Sequence, residues 1–229
     1  MDERIIVEKL RGMRDERAVV MGVQRFGIVT ELEYLGVSMP RLRAMGKELK
    51  KELADRHEVA MRLWGYEVHE ARIVASLIAD PERMTVRLMN QWAGDFDSWA
   101  MVDVVVDLFG KTKEAWGRPR VWCGRREEFV RRAGFVMMCT LAVHDKEADD
   151  ERFLEFFPLI KQHATDERNF VKKAVNWSIR QIGKRSLMLN REAVGLSEEL
   201  LGMGDRTADW IARGAIRELQ SEKILARLS

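Results

Sequence analysis

Proline and cysteine are scarce: four and two among 229 residues. Proline breaks helix interiors, so its rarity leaves long stretches free to be helical. Cys123 and Cys139 do not make a disulfide framework, and a reducing cytoplasm is the expected setting. No apolar run is long enough to span a bilayer, and the opening MDERIIVEKL has no apolar signal-peptide core, so no membrane association is expected. Neither GxGxxG, GxxxxGK[ST] nor GxSxG occurs, which removes the commonest nucleotide-binding and hydrolase readings. His57, His69, His144 and His163 show no HExxH or comparable ligand spacing, and no metal or organic cofactor is expected. A dominant charge is missing as well. The net charge of +2 is too mild to announce nucleic-acid binding, so that reading depends on where the basic residues stand.

What is present is amphipathic helix. Hydrophobic residues make 46% and charged residues 33% of the chain, and no stretch alternates with period two, so the fold is expected to be all-α. One domain is expected over 1–229: an amphipathic opening helix in 1–24, repeats over 25–219 and a tail at 220–229. Thr30 reads as a cap, Gly36 as a stop and Pro40 as the start of a helix reaching residue 57. An apolar-periodic unit at 63–78 follows, and Asp80-Pro81 opens another helix towards Trp92. With Gly117, Pro119 and Gly124 among basic residues, 111–126 reads as an irregular connection, and 145–151 as a solvated acidic turn. Further helices are expected at 128–144, 153–163, 169–185, 191–201 and 206–219.

The stretch FDSWAMVDVVVDLFG, 96–110, organises the first half. Asp97 or Ser98 supplies an N-cap and Gly110 a stop. Apolar side chains from Met101 to Phe109 cover most of the circumference, interrupted by Asp103 and Asp107. At about 100° per residue, Trp99, Asp103 and Asp107 share one stripe. A carboxylate there is costly to bury unpaired. Either a basic neighbour holds it, or it faces a groove where a positively charged ligand sits.

The second half repeats. Phe129-Val130-Arg131-Arg132-Ala133 recurs as Phe170-Val171-Lys172-Lys173-Ala174 and loosely as Trp210-Ile211-Ala212-Arg213-Gly214, at spacings of 41 and 40 residues. Two helices per period of that length is the signature of a HEAT-type solenoid, whose second helices line a concave wall. Arg132, Lys173 and Arg213 are therefore expected to line one groove. Within 169–185, Val171, Val175, Ile179 and Ile182 make the core stripe, while Lys173, Trp177, Arg180 and Lys184 share the opposite face. Two readings stand. Trp177 packs on a neighbouring helix beside a solubility face, or a basic stripe with an interleaved aromatic meets phosphate and sugar.

Four motifs in order, RFGI with YLGV-x-x-P-x-L-R, LW-x-x-x-x-HEAR-x-x-AS, FDSW-x-x-x-D and NFVKKAVNW-x-x-R-x-IGKR, resemble the DNA alkylation repair glycosylases built from HEAT-like repeats, the AlkD-like group. The resemblance runs from about Arg25 to Leu219. It implies a right-handed superhelical solenoid of helix pairs whose concave groove holds duplex DNA containing alkylated bases, and a monofunctional glycosylase acting as a monomer without cofactor. By the same resemblance, Asp103 is the catalytic carboxylate and Trp99 and Trp177 are the two aromatics. Arg132 matches a backbone-binding arginine, and Arg180 follows as a further cation. With Lys173, Lys184 and Arg213 these make the expected DNA-binding set. Two departures stand out: Ala100-Met101-Val102 is more apolar than in relatives, and Gly27 follows Phe26 although the family's catalytic prototypes carry an aromatic near this first motif. The alternatives are a non-catalytic binder of distorted or branched DNA and a protein-interaction scaffold. The binder shows salt-sensitive DNA affinity without base release, and the scaffold has cations neutralised by nearby acids.

Overall fold

Capping side chains and glycines set many of the helix ends in the computed structural model, which describes residues 2–228. Every regular element among these residues is helical, apart from an isolated parallel bridge between Glu33 and Val68. The chain divides into two compact units, Met1–Lys113 and Glu114–Ser229.

In the first unit the stretch 1–24, expected as one helix, forms two. Gly12 closes α1 (Glu3–Arg11), and Asp15 opens α2 (Glu16–Phe26) by accepting from the Arg17 and Ala18 amides at 3.0 and 3.1 Å. The helix expected through residue 57 splits in the same way. α3 (Met39–Glu52) ends at Leu53, and Asp55 caps α4 (Arg56–Trp64) through the His57 and Glu58 amides. α5 (His69–Ile78) packs on α3, α4 and α7 (Trp99–Phe109) and buries eight of its ten residues, which makes it the axis of this unit. A 3-10 turn at Pro81–Arg83 leads to α6 (Val86–Gly94), capped by Thr85. Trp64 stacks on Trp92 with centroids 3.9 Å apart and donates its indole N–H to Asp95 at 2.7 Å. α7 begins at Ser98 and stops at Gly110, as its sequence requires.

The segment between α2 and α3 has no helix, and its polar backbone is satisfied from elsewhere. The buried carboxylate of Glu70 accepts from the Leu35 and Val37 amides at 3.0–3.2 Å. Burial pushes the Glu70 carboxyl up, against the pull of those amides. Thr30 is not a helix cap; its hydroxyl donates to Asp97, which also accepts from the Glu31 amide at 3.0 Å. Gly36 serves this segment's turn rather than a helix end. Its φ is 73°, and a Cβ there would meet the Asp15 carbonyl at 2.7 Å.

In the second unit, 111–126 is not irregular. After a 3-10 turn at Ala115–Gly117, α8 (Arg118–Cys123) turns Pro119, Trp122 and Cys123 inward and packs on α9 (Glu128–His144). Gly134 permits the approach, because a Cβ there would stand 2.6 Å from Cys123 Sγ. The acidic turn expected at 145–151 also has structure. Asp145 accepts from Trp116 Nε1 at 2.8 Å, and Asp150 opens α10 (Asp150–Leu154) and holds Arg185 Nε at 2.9 Å. α11 (Phe157–Gln162), α12 (Asn169–Gly183), α13 (Leu187–Leu201) and α14 (Arg206–Leu219) follow. The tail is helical too, as α15 (Glu222–Leu228). α12 packs against both α9 and α14, so the 40-residue period appears as one layer of second helices. Buried Asn176 ties two of them by donating to the Ile211 carbonyl at 2.8 Å.

Candidate functional site

α7 brings the aromatic and the carboxylate together. Trp99, Asp103 and Asp107 are each half-buried on the stripe that their four-residue spacing dictates. The Trp99 indole N–H donates to the Phe26 carbonyl at 3.0 Å, where α2 runs into the left-handed Gly27. Gly27 thus closes α2 at the point that anchors Trp99 through main chain. Met101 and Val102 are fully buried, so the apolar departure fills the core and does not grease the site; of the three residues only Ala100 is half-exposed.

Asp103 and Asp107 line a cleft of about 280 Å³ in the first unit, together with Arg43, Lys50, Arg56 and Lys111. Burial lowers the Lys50 ammonium below the ordinary lysine range, and the charges of Arg56 and Lys111 lower it further. The cleft is therefore cationic despite its two carboxylates. Arg43 closes the motif YLGV-x-x-P-x-L-R, whereas Lys50, Arg56 and Lys111 belong to no motif. A second signal is the seven-residue spacing of Arg43 and Lys50, which puts both on one face of α3.

In the second unit, four of the five expected cations, Arg132, Arg180, Lys184 and Arg213, have protein partners. Arg132 is buried to 6% exposure and donates to the Phe170 carbonyl at 2.8 Å. This bond links α9 to the first turn of α12. Arg180 and Lys184 share the Glu218 carboxylate, with Lys184 Nζ at 2.7 Å. Burial opposes ionisation of Glu218, but these two cations win and hold its carboxyl below the ordinary value. Arg213 pairs with Asp209 at 3.0 Å on the exposed surface of α14. Lys173 is exposed, and Trp177 is half-buried on the same helix as Arg180. Trp210, the aromatic of the loosest repeat, is 48% exposed, with Lys172 Nζ 5.5 Å from its ring centre.

Several motif residues turn out to be architectural. Glu70 of HEAR and Asp97 of FDSW hold the segment before α3 through its backbone amides. Arg185 of IGKR lies against the Phe153 ring and donates to the Asp145 and Ala148 carbonyls. Among the described residues, no group of three or more His, Cys, Asp or Glu is placed to hold a metal ion, and no helix is long and apolar enough to cross a membrane.

The family model described as DNA alkylation repair enzyme matches residues 6–219. A solved structure matches with a TM-score of 0.77 at 18% identity, covering 100% of this chain and 96% of its own; it comes from a new family of proteins related to the HEAT-like repeat DNA glycosylases with affinity for branched DNA structures. No curated protein sequence matches the chain. At that identity the likeness establishes the fold, an all-helical one of the HEAT-like repeat glycosylase type.

Proposed function

The chain belongs to the DNA alkylation repair enzyme family, and on that premise we propose that it is a monofunctional DNA glycosylase releasing positively charged N3- or N7-alkylated purines from duplex DNA. The observation that carries this reading is the pairing of Trp99 with Asp103 on one stripe of α7, beside a cationic cleft. An alkylated purine already carries positive charge and is a good leaving group. Breaking its N-glycosidic bond builds oxocarbenium character on the deoxyribose. The Asp103 carboxylate stabilises that developing charge more than it stabilises the ground state, and it orients the attacking water. Trp99, its indole anchored at Phe26, offers a fixed face to the sugar.

On the second unit, Trp177 is the further aromatic surface for the sugar–phosphate backbone. Lys173, Arg180, Lys184 and Arg213 contact phosphates, three of them by exchanging a carboxylate partner for a phosphate. Arg132, from its buried position, keeps α12 in place. The reading needs no cofactor and places a monomer in the cytoplasm.

Asp103→Asn tests it through release of 7-methylguanine from methylated duplex DNA. Loss of release by orders of magnitude with binding retained supports the role, and unchanged release ends it. The related family with affinity for branched DNA favours one competing reading, a binder without chemistry. That reading is the better one if the wild-type protein releases no base and prefers a four-way junction to a linear duplex.

A further inference from the structure

The cleft lined by Asp103 and Asp107 also holds four basic side chains. Arg43 and Lys50 reach it from one face of α3, Arg56 from the first turn of α4, and Lys111 from just beyond α7. Arg56 is committed to the fold. Its Nη1 donates to the Ile78 and Ala79 carbonyls at 3.0 and 3.2 Å, and Nη2 lies 3.6 Å from Asp80. Arg43, Lys50 and Lys111 form no ion pair among the described residues, although two carboxylates share their cleft. Elsewhere this protein pairs its arginines and lysines freely, as at Arg83 with Asp55 and Glu58, or Lys161 with Glu199. Gathering like charges in a partly enclosed space raises the energy of each; burial first, and then the charges of Arg56 and Lys111, lower the Lys50 ammonium.

An incoming anion turns this repulsion into attraction. A carboxylate that works beside DNA faces the opposite difficulty, because the phosphate backbone repels it. Cations set in the same cleft remove that repulsion while leaving the carboxylate charged.

We propose that Arg43, Lys50 and Lys111 form a seat for one phosphodiester of the DNA strand that carries the altered nucleotide, drawing the adjoining deoxyribose towards Asp103. The seat rests on the reading of α7 as the face that meets DNA, but it concerns binding and not chemistry.

The test is fluorescence anisotropy on a duplex with one 7-methylguanine, over a salt series. The proteins are wild type, Lys50→Met, Lys111→Met, the double variant and the charge-retaining Lys50→Arg. Both lysines are exposed, so equal far-UV circular dichroism and urea midpoints are expected throughout. The double variant should bind about tenfold or more weakly at moderate salt, with a salt slope shallower by about two ions. Lys50→Arg should keep wild-type affinity. A second set of duplexes replaces one phosphate at a time by a neutral methylphosphonate. One position near the lesion should weaken wild type and leave the double variant unaffected. An unchanged slope in the double variant, or methylphosphonates that weaken both proteins equally at every position, overturns the seat. Base release measured in parallel separates the two proposals. Binding with the single-phosphate signature but no release supports the seat and ends the glycosylase reading, whereas release by both proteins with identical binding ends the seat alone.

Discussion

Asp166 is the residue whose removal should tell most about how the second unit holds α12 in place. It stands three residues before that helix, and its side chain is 8% exposed. One carboxylate oxygen accepts from Arg131 Nη1 at 2.8 Å and from Arg168 Nη2 at 2.5 Å; the other accepts from Arg168 Nε at 2.9 Å. Arg168 in turn donates to the Arg126 carbonyl at 2.7 Å, so one carboxylate joins the approach to α9 to the start of α12. Burial alone would raise the carboxyl of Asp166, but the guanidinium hydrogen bonds outweigh it and hold it at about 2, against an ordinary 3.8. A depressed carboxyl contributes stability above its unfolded value and loses it as pH falls through the folded one. The window is therefore from about pH 4 down to about pH 2, and the contribution at neutral pH is about 2 kcal/mol. Asp166→Asn keeps the shape but leaves Arg131 and Arg168 facing each other without an anion, so its full effect should be about 3 kcal/mol at pH 7. Urea denaturation of the full chain, followed by tryptophan fluorescence and circular dichroism at pH 7, 5 and 2.5, measures it. The gap between wild type and variant should be wide at pH 7 and 5 and narrow sharply at pH 2.5. A gap of the same size at all three values would refute the electrostatic reasoning and leave only a packing role.

Gly134→Ala pushes a methyl group into Cys123 and should cost about 1–3 kcal/mol, seen as a lowered urea midpoint; no change would mean that α8 can move away freely. Glu218→Gln frees Arg180 and Lys184 from their shared partner, so DNA should bind more tightly at low salt and with a steeper salt dependence. An unaltered slope would remove both cations from the DNA-binding set. Because Lys50 sits below the ordinary lysine range, it loses its proton at a lower pH than a free lysine, and DNA affinity should fall early on the alkaline side. In Lys50→Arg that fall should move to higher pH, and coincident alkaline limbs in the two proteins would rule the link out. Trp99→Phe keeps a ring but not the bond to Phe26, at a stability cost of about 1 kcal/mol in thermal or urea melts.

Local chemistry was legible in the sequence wherever it acts over a few residues. Ser98 and Gly110 bound α7, Arg206 and Leu219 bound α14, and the 40-residue period became the α9, α12 and α14 layer, each from cues within one helix or one repeat. Short helices were harder to see. α8 has only six residues, too few for a 3.6-residue period to show, so its glycines and basic residues suggested a connection. In 1–24, continuous amphipathicity hid the break at Gly12 and the restart at Asp15. The partners of the cations were the least visible. Glu218 lies 38 residues beyond Arg180, and Phe170 lies 38 beyond Arg132, so a helical wheel shows a basic face without showing what neutralises or covers it. The cleft that joins Arg43 and Lys50 to Lys111 escaped notice for the same reason, since Lys111 stands just beyond α7 and far from α3 in the chain.

The hydrogen bond between Trp99 and Phe26 has a thermodynamic consequence. An indole possesses a single donor, and here it is fastened to main chain from a different helix. In the proposed contact with a nucleotide, a ring held in this way gives up less of the roughly 0.5–1.5 kcal/mol that a loose side chain loses at an interface. The proposed recognition would thus begin with a preset surface, tied to the end of α2.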